Sequence, residues 1–148
     1  MDSIETRFRK SLTSSSRGFR AGASAELRSL GVHPGQNFLL EALVQSNGMT
    51  TGDIAHALRI ENPTATRMAQ RMEAAGLVER TPDIEDRRRV RLTLTNAGRV
   101  AAERVPEALD SVSRTALTGF TPQESEQLVA LIERAAANLG WGPSASSP

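Results

Sequence analysis

The run NPTATRMAQRMEAAGLVERT, Asn62–Thr81, changes its periodicity midway, and that change decides the fold. Asn62-Pro63 reads as a helix start, a cap-type residue followed by proline at the first helical position. Ala65, Met68, Met72 and Ala75 then recur at helical spacing and are expected to face a core. Thr64, Arg67 and Arg71 fall on a different, polar face. Gly76 stops the helix. From Leu77-Val78-Glu79-Arg80-Thr81 the period is two, that of a strand. Arg89-Val90-Arg91-Leu92-Thr93-Leu94 is a second such run, with Val90, Leu92 and Leu94 on one side. The charged stretch Pro82–Arg88 joins them, so 77–94 reads as a hairpin.

On the N-terminal side the spacing predicts a helix over 35–46, with Phe38, Leu39, Ala42, Leu43 and Ser46 on one face. Asn47-Gly48 closes it with a pair that accepts positive φ. Thr50 and Asp53 then resemble a capping box, and Ile54, Ala55 and Leu58 form the buried stripe of a short helix. A short helix, a tight turn, a second short helix and a hairpin make a winged helix-turn-helix domain over 35–98. Its recognition helix, 62–75, would enter the major groove, with the wing, 77–94, beside it.

Long helices flank this unit, so the fold class is mainly α with a small β-hairpin (α+β). Residues 4–29 read as one helix of weak amphipathicity, ended by Gly31 and Pro34, within an N-terminal dimerisation segment, 1–34. Thr95 or Asn96 caps another helix whose stripe is Ala101, Val105, Ala108, Leu109, Val112 and Ala116. Pro106 is expected to kink or split it. Thr121-Pro122-Gln123-Glu124 is a full capping box, and Leu128, Leu131, Ile132, Ala135 and Leu139 form the last stripe. The segment 99–141 is therefore read as C-terminal dimerisation helices, and 142–148 as a disordered tail. The stripes are too apolar for solvent, and a second copy of the chain is the economical partner.

Composition excludes several functions. There is no cysteine and there are only two histidines, His33 and His56, so no metal site, disulfide framework or thiol switch is expected, and no cofactor. No phosphate-binding glycine loop or nucleophile motif stands out, so the chain is not read as an enzyme. No apolar run approaches the roughly 18 residues needed to span a bilayer. Met1–Lys10 lacks a signal-peptide core, and a cytoplasmic location is expected. Net charge is +1, but it is unevenly placed: residues 59–91 carry eight bases against six acids, and 92–148 four against six. All but Lys10 of the 18 basic residues are arginine, which suits planar contacts to phosphates and guanine edges as well as it reflects a GC-rich genome.

Three segments together resemble the MarR/SlyA family of regulators. Asp86-Arg87-Arg88-Arg89-Val90-Arg91-Leu92-Thr93-Leu94-Thr95-Asn96-Ala97-Gly98 is similar to the family's wing signature, Asp-x-Arg, a short strand, then Leu-Thr-x-x-Gly. Ile60–Arg67 is similar to the start of its recognition helix and Glu73–Arg80 to its exit. The resemblance runs over nearly the whole chain. It implies a homodimer gripping a pseudo-palindromic operator in double-stranded DNA, commonly as a repressor released by a small phenolic or otherwise lipophilic effector. It also implies a bacterial cytoplasmic protein. Oxidant sensing through cysteine is excluded here.

The resemblance assigns Arg88 to the minor groove, where a narrow groove concentrates negative potential. Arg67 would touch phosphate or base. Thr64 and Thr66, near the helix N-terminus, would reach phosphate, and Thr51 is a further candidate. Arg71 has two readings, DNA or pairing with Glu73 or a core-edge acid. Asp86 is read as stabilising the wing by pairing with an arginine, and Arg87 and Arg89 as phosphate contacts or as that partner. Asn62 reads as a cap. His33, between two helices, and Phe38 are candidates for an effector pocket, although Phe19, Phe38 and Met49 read first as core residues. The alternative function is a winged-helix module that docks on protein without binding DNA.

Overall fold

Leu27, Val32, Leu39, Leu40, Leu43, Ile54, Met72, Val78 and Leu92 are almost completely buried, and every helix-turn-helix element contributes to this one core. The computed structural model describes residues Met1–Trp141. The elements are α1 (Ile4–Ser29), α2 (Gln36–Gln45), β1 (Met49–Thr50), α3 (Thr51–Leu58), α4 (Asn62–Ala74), β2 (Val78–Pro82), β3 (Val90–Leu94), α5 (Asn96–Ala116) and α6 (Pro122–Asn138). The architecture is mostly helical with one small antiparallel sheet, in the order expected for a winged helix. The chain divides into two compact units, Met1–Val112 and Ser113 onward. The expected disordered tail, 142–148, lies outside the described residues.

Local chemistry accounts for most boundaries. Thr50 and Asp53 form the reciprocal capping box at α3, Thr50 Oγ1 accepting from the Asp53 N–H at 3.1 Å and Asp53 Oδ2 accepting from the Thr50 N–H at 2.9 Å. Thr121 and Glu124 do the same at α6. The α4 start departs from expectation: Glu61 is the N-cap, without a side-chain bond, and Asn62 is already helical. With Pro63 in the first turn supplying no N–H, little is left for a cap to satisfy.

The sheet has three strands, ordered β1-β3-β2. β2 and β3 are the expected hairpin, with Val78 opposite Leu94 and Pro82 opposite Val90. β1 was not expected. Its two residues pair with Leu92 and Arg91, tying the start of α3 to the wing.

Several core assignments change. Phe38 is 56% exposed and Phe19 42%, so neither is a core residue. On α2 the buried residues include Gln36 and Asn37, because their side chains bind loop backbone. Gln36 Oε1 accepts from the His33 N–H at 2.9 Å and Asn37 Oδ1 from the Gly35 N–H at 3.1 Å. On α4 the buried face is Ala65, Ala69 and Met72, and Ala75 is exposed. α5 runs through Pro106 without splitting. Its stripe is buried at Ala101 and Val105, only partly at Ala108, Leu109 and Val112, and exposed at Ala116. α6 buries no residue, and Leu131, Ile132 and Leu139 are exposed.

Candidate nucleic-acid interface

Helix α4 sits with Ala65, Ala69 and Met72 in the core, so its opposite side must face out. That side carries Thr64, Arg67 and Arg71, all exposed, with Thr66 half-buried beside them. Neither arginine has an ion-pair partner among the described residues. Glu73 pairs instead with Arg80, across the helix-to-strand turn, at 3.3 Å. The reading of Arg71 as the partner of Glu73 or of a core-edge acid therefore fails on geometry among the described residues.

The wing loop, 83–89, presents Arg87, Arg88 and Arg89 on consecutive exposed residues. None makes a side-chain ion pair among the described residues, although Arg89 and Arg91 both lie close enough to Asp53 to favour its charged form. The stronger causes for Asp53 are its hydrogen bonds from the Thr50 hydroxyl and N–H, and together they hold its carboxyl below the usual aspartate range.

Among the described residues Asp86 does not pair with an arginine side chain. Its carboxylate accepts from the backbone N–H of Arg88 at 3.0 Å, which shapes the loop directly. The acid of the wing loop that pairs with an arginine among the described residues is Asp83, to which no role was assigned from sequence. It is 3% exposed, ion-paired with Arg91, and accepts from the N–H groups of Glu85 and Asp86 at 2.8 and 3.0 Å. Those two backbone donors, Asp86 first, and then Arg91 lower its pKa. Arg91 also donates through Nη1 to the Gly48 carbonyl at 2.7 Å. The available signal was positional: Asp83 and Arg91 bracket the loop one residue outside and inside the last strand pair.

The two effector-pocket candidates separate. Phe38 lines a groove of about 720 Å³ together with Leu12, Phe19, Ala23, Leu27 and Leu109, with Arg20 and Asn37 among its few polar groups. His33 lines a smaller hollow, about 280 Å³, whose other walls include Thr64, Arg67 and Arg71 of the recognition helix. Thr51 is half-buried at the first turn of α3. Among the described residues no cluster of metal-ligating side chains occurs, and no helix is long and apolar enough to cross a membrane.

Residues 32–90, which take in α2 to β2 and the wing loop but end at the first residue of β3, match the model of the MarR family. The transcriptional repressor MdtR of Bacillus subtilis is 31% identical over 97 residues, which is 66% of this chain and 63%, just under two thirds, of MdtR. The crystal structure of Staphylococcus aureus MepR in complex with DNA superposes with a TM-score of 0.71 at 25% identity, covering 93% of this chain and 99% of MepR. An organohalide-sensing regulator solved with 2,4-dichlorophenol bound gives a TM-score of 0.80 at 19% identity over 93% of this chain and 82% of its own, a likeness of fold.

Proposed function

We propose that the chain, whose residues 32–90 match the MarR family model, is a member of that family and a sequence-specific regulator that reads duplex DNA as a homodimer, represses transcription, and is released by a small lipophilic or phenolic ligand. The observation that carries the DNA reading is the array of exposed arginines without acidic partners on α4 and the wing. Arg67 and Arg71 face out from the recognition helix, and Arg87, Arg88 and Arg89 from the loop beside it. Unpaired guanidiniums projecting from a rigid scaffold suit phosphates and base edges. A helix in the major groove reads sequence, and Arg88 in the adjacent minor groove reads its width. Thr64 and Thr66 would bind backbone phosphate, while Asp86 holds the loop that presents Arg88.

The homodimer is supported by apolar side chains that this chain leaves in water. Ile4, Phe8 and Leu12 on α1, Leu131 and Ile132 on α6 and Leu139 at its C-cap are all 45% or more exposed. Burying one such side chain is worth roughly 1.5–3 kcal/mol. Two identical readers related by a two-fold axis require inverted half-sites about one helical turn apart. The effector is supported by the Phe38 groove, apolar with few polar groups and within the usual size range of small-molecule sites. The dichlorophenol held by the organohalide-sensing relative is of the matching chemical class.

Fluorescence anisotropy with a random-sequence duplex pool, repeated over a ladder of salt concentrations, tests the DNA reading. The expected affinity falls steeply with salt, each neutralised phosphate adding about −0.9 to the slope of log affinity against log salt. Absence of duplex binding at low salt would leave the protein-docking alternative in its place.

A further inference from the structure

We propose that Asp83 is a positioning residue for DNA binding: through Arg91 it braces the wing against the turn before α3, and through Asp86 it sets where Arg88 stands. The inference rests on the DNA-binding reading above and adds to it a residue that touches no DNA.

The wing loop has little else to hold it. Its seven residues, 83–89, lie beyond the last strand pair, Pro82 with Val90. Ile84 is 96% exposed, and every residue of the loop other than Asp83 is exposed. Three consecutive arginines repel one another, so electrostatics alone favours many loop conformers. Against this stands one connected set of contacts centred on Asp83. Its N–H donates to the Arg89 carbonyl at 3.0 Å, closing the loop at its base. Its Oδ1 accepts from the N–H groups of Glu85 and Asp86. Asp86 in turn accepts from the Arg88 N–H, so two hydrogen bonds in series link the buried carboxylate to the backbone of the minor-groove arginine.

The other end of the set leaves the wing. Asp83 Oδ2 pairs with Arg91, and Arg91 Nη1 donates to the carbonyl of Gly48. Gly48 also donates its N–H to the Leu92 carbonyl at 3.0 Å, and Thr50, two residues on, is the N-cap of α3. The brace therefore joins the wing to the first helix of the helix-turn-helix. A loop ordered before binding loses less conformational entropy on the DNA. Freeing it is expected to weaken binding roughly two- to twelvefold, from about 0.5–1.5 kcal/mol per immobilised side chain and tenfold per 1.4 kcal/mol.

The test is a double-mutant cycle on the full chain, with a short duplex enriched from a random pool by the wild-type protein. Asp83→Asn keeps an acceptor for the turn and removes the charge that pairs with Arg91. Arg91→Gln breaks the same pair from its more exposed side and leaves the turn bonds of Asp83 intact, and it serves if Asp83→Asn loses cooperative thermal unfolding. Either variant should lose affinity, and adding Arg88→Ala to it should cost clearly less than Arg88→Ala costs the wild type. The same cycle with Arg67→Ala should be additive, since α4 is not held by the brace. General destabilisation would not couple to one arginine and spare the other. Wild-type affinity in both variants, or equal coupling to Arg67 and Arg88, overturns the inference while leaving DNA binding in place. A wild-type chain that captures no duplex overturns the functional reading and the brace with it.

Discussion

Gly98→Ala should be among the most damaging single-methyl additions available in this chain. Gly98 lies in the first turn of α5, where the helix leaves the sheet. A Cβ built there falls 1.9 Å from the carbonyl oxygen of Leu77, 3.0 Å from its carbonyl carbon and 3.3 Å from Leu94 Cδ2. The oxygen cannot easily withdraw, because it accepts from the Thr95 N–H at 3.1 Å. Thr95 is itself anchored, its hydroxyl donating to the Gly76 carbonyl at 2.6 Å and accepting from the Gly98 N–H at 3.0 Å. Relief requires α5 to move by about an ångström away from β2, which opens the core at Leu77 and Leu94. Overpacking costs typically about 1–3 kcal/mol, and clash against fixed backbone belongs at or above the top of that range. Alanine recovers about 0.5–1 kcal/mol of helix preference over glycine. The net loss is about 2 kcal/mol or more, which for a chain of this size lowers Tm by roughly 4–8 °C. Gly22→Ala is the internal control. Its Cβ would meet Val112 Cγ1 at 2.9 Å, the end of a side chain that can turn. Urea titration and thermal scans of both variants at one protein concentration check the ordering. A Gly98→Ala protein as stable as the wild type, or more stable than Gly22→Ala, refutes the close-approach account of the Leu-Thr-x-x-Gly ending.

Arg67→Ala and Arg88→Ala should fold like the wild type, because both side chains are exposed, yet they should differ in kind on DNA. Arg67→Ala is expected to relax sequence preference and cost on the order of 1–3 kcal/mol if it contacts a base edge. Arg88→Ala is expected to weaken binding most on duplexes with A/T-rich flanks. Selection of bound sequences by each variant distinguishes the two. Acid should destabilise the fold through its capping carboxylates: Asp53, held down chiefly by the Thr50 hydroxyl, and Glu124, held down chiefly by the Thr121 N–H, both have lowered pKa values. Their contribution is present above the unfolded carboxylate pKa of about 4 and is lost as pH falls through the lower folded value. Urea midpoints should therefore not fall between pH 7 and 5 on account of these groups, and Asp53→Asn should flatten the decline below about pH 4.

The helix-turn-helix was legible because its signals are local. A proline in the first turn, a capping box and a switch of period lie within a few residues of what they specify, and α1 runs from Ile4 to Ser29 as the spacing requires. The elements that were missed depend on distant partners. β1 is two residues long, too short to have a period, and exists only because β3 is there to pair with it. Asp83 looks like any loop acid until the hairpin folds and brings Arg91 to it. Phe38 is apolar in sequence and exposed in space, because Gln36 and Asn37 are needed inside to bind the loop before α2.

That same loop is where the two halves of the proposed mechanism meet. Pro34 lines both the apolar groove beside Phe38 and the hollow that holds Arg67 and Arg71. Gly35 stands 3.7 Å, measured to an added Cβ, from the end of Met68 on the recognition helix. Under the proposed function, a ligand filling the groove would press on one side of a short segment whose other side touches α4. Close-packed interiors transmit such displacements, so no contact between ligand and DNA is needed for one to affect the other. Coupling still requires the ligand to prefer the arrangement that DNA does not. Under the proposed function, Arg20 on the groove wall would supply part of that preference for an acidic ligand. His33 lies on the α4 side of that loop, lining the hollow with Arg67 and Arg71.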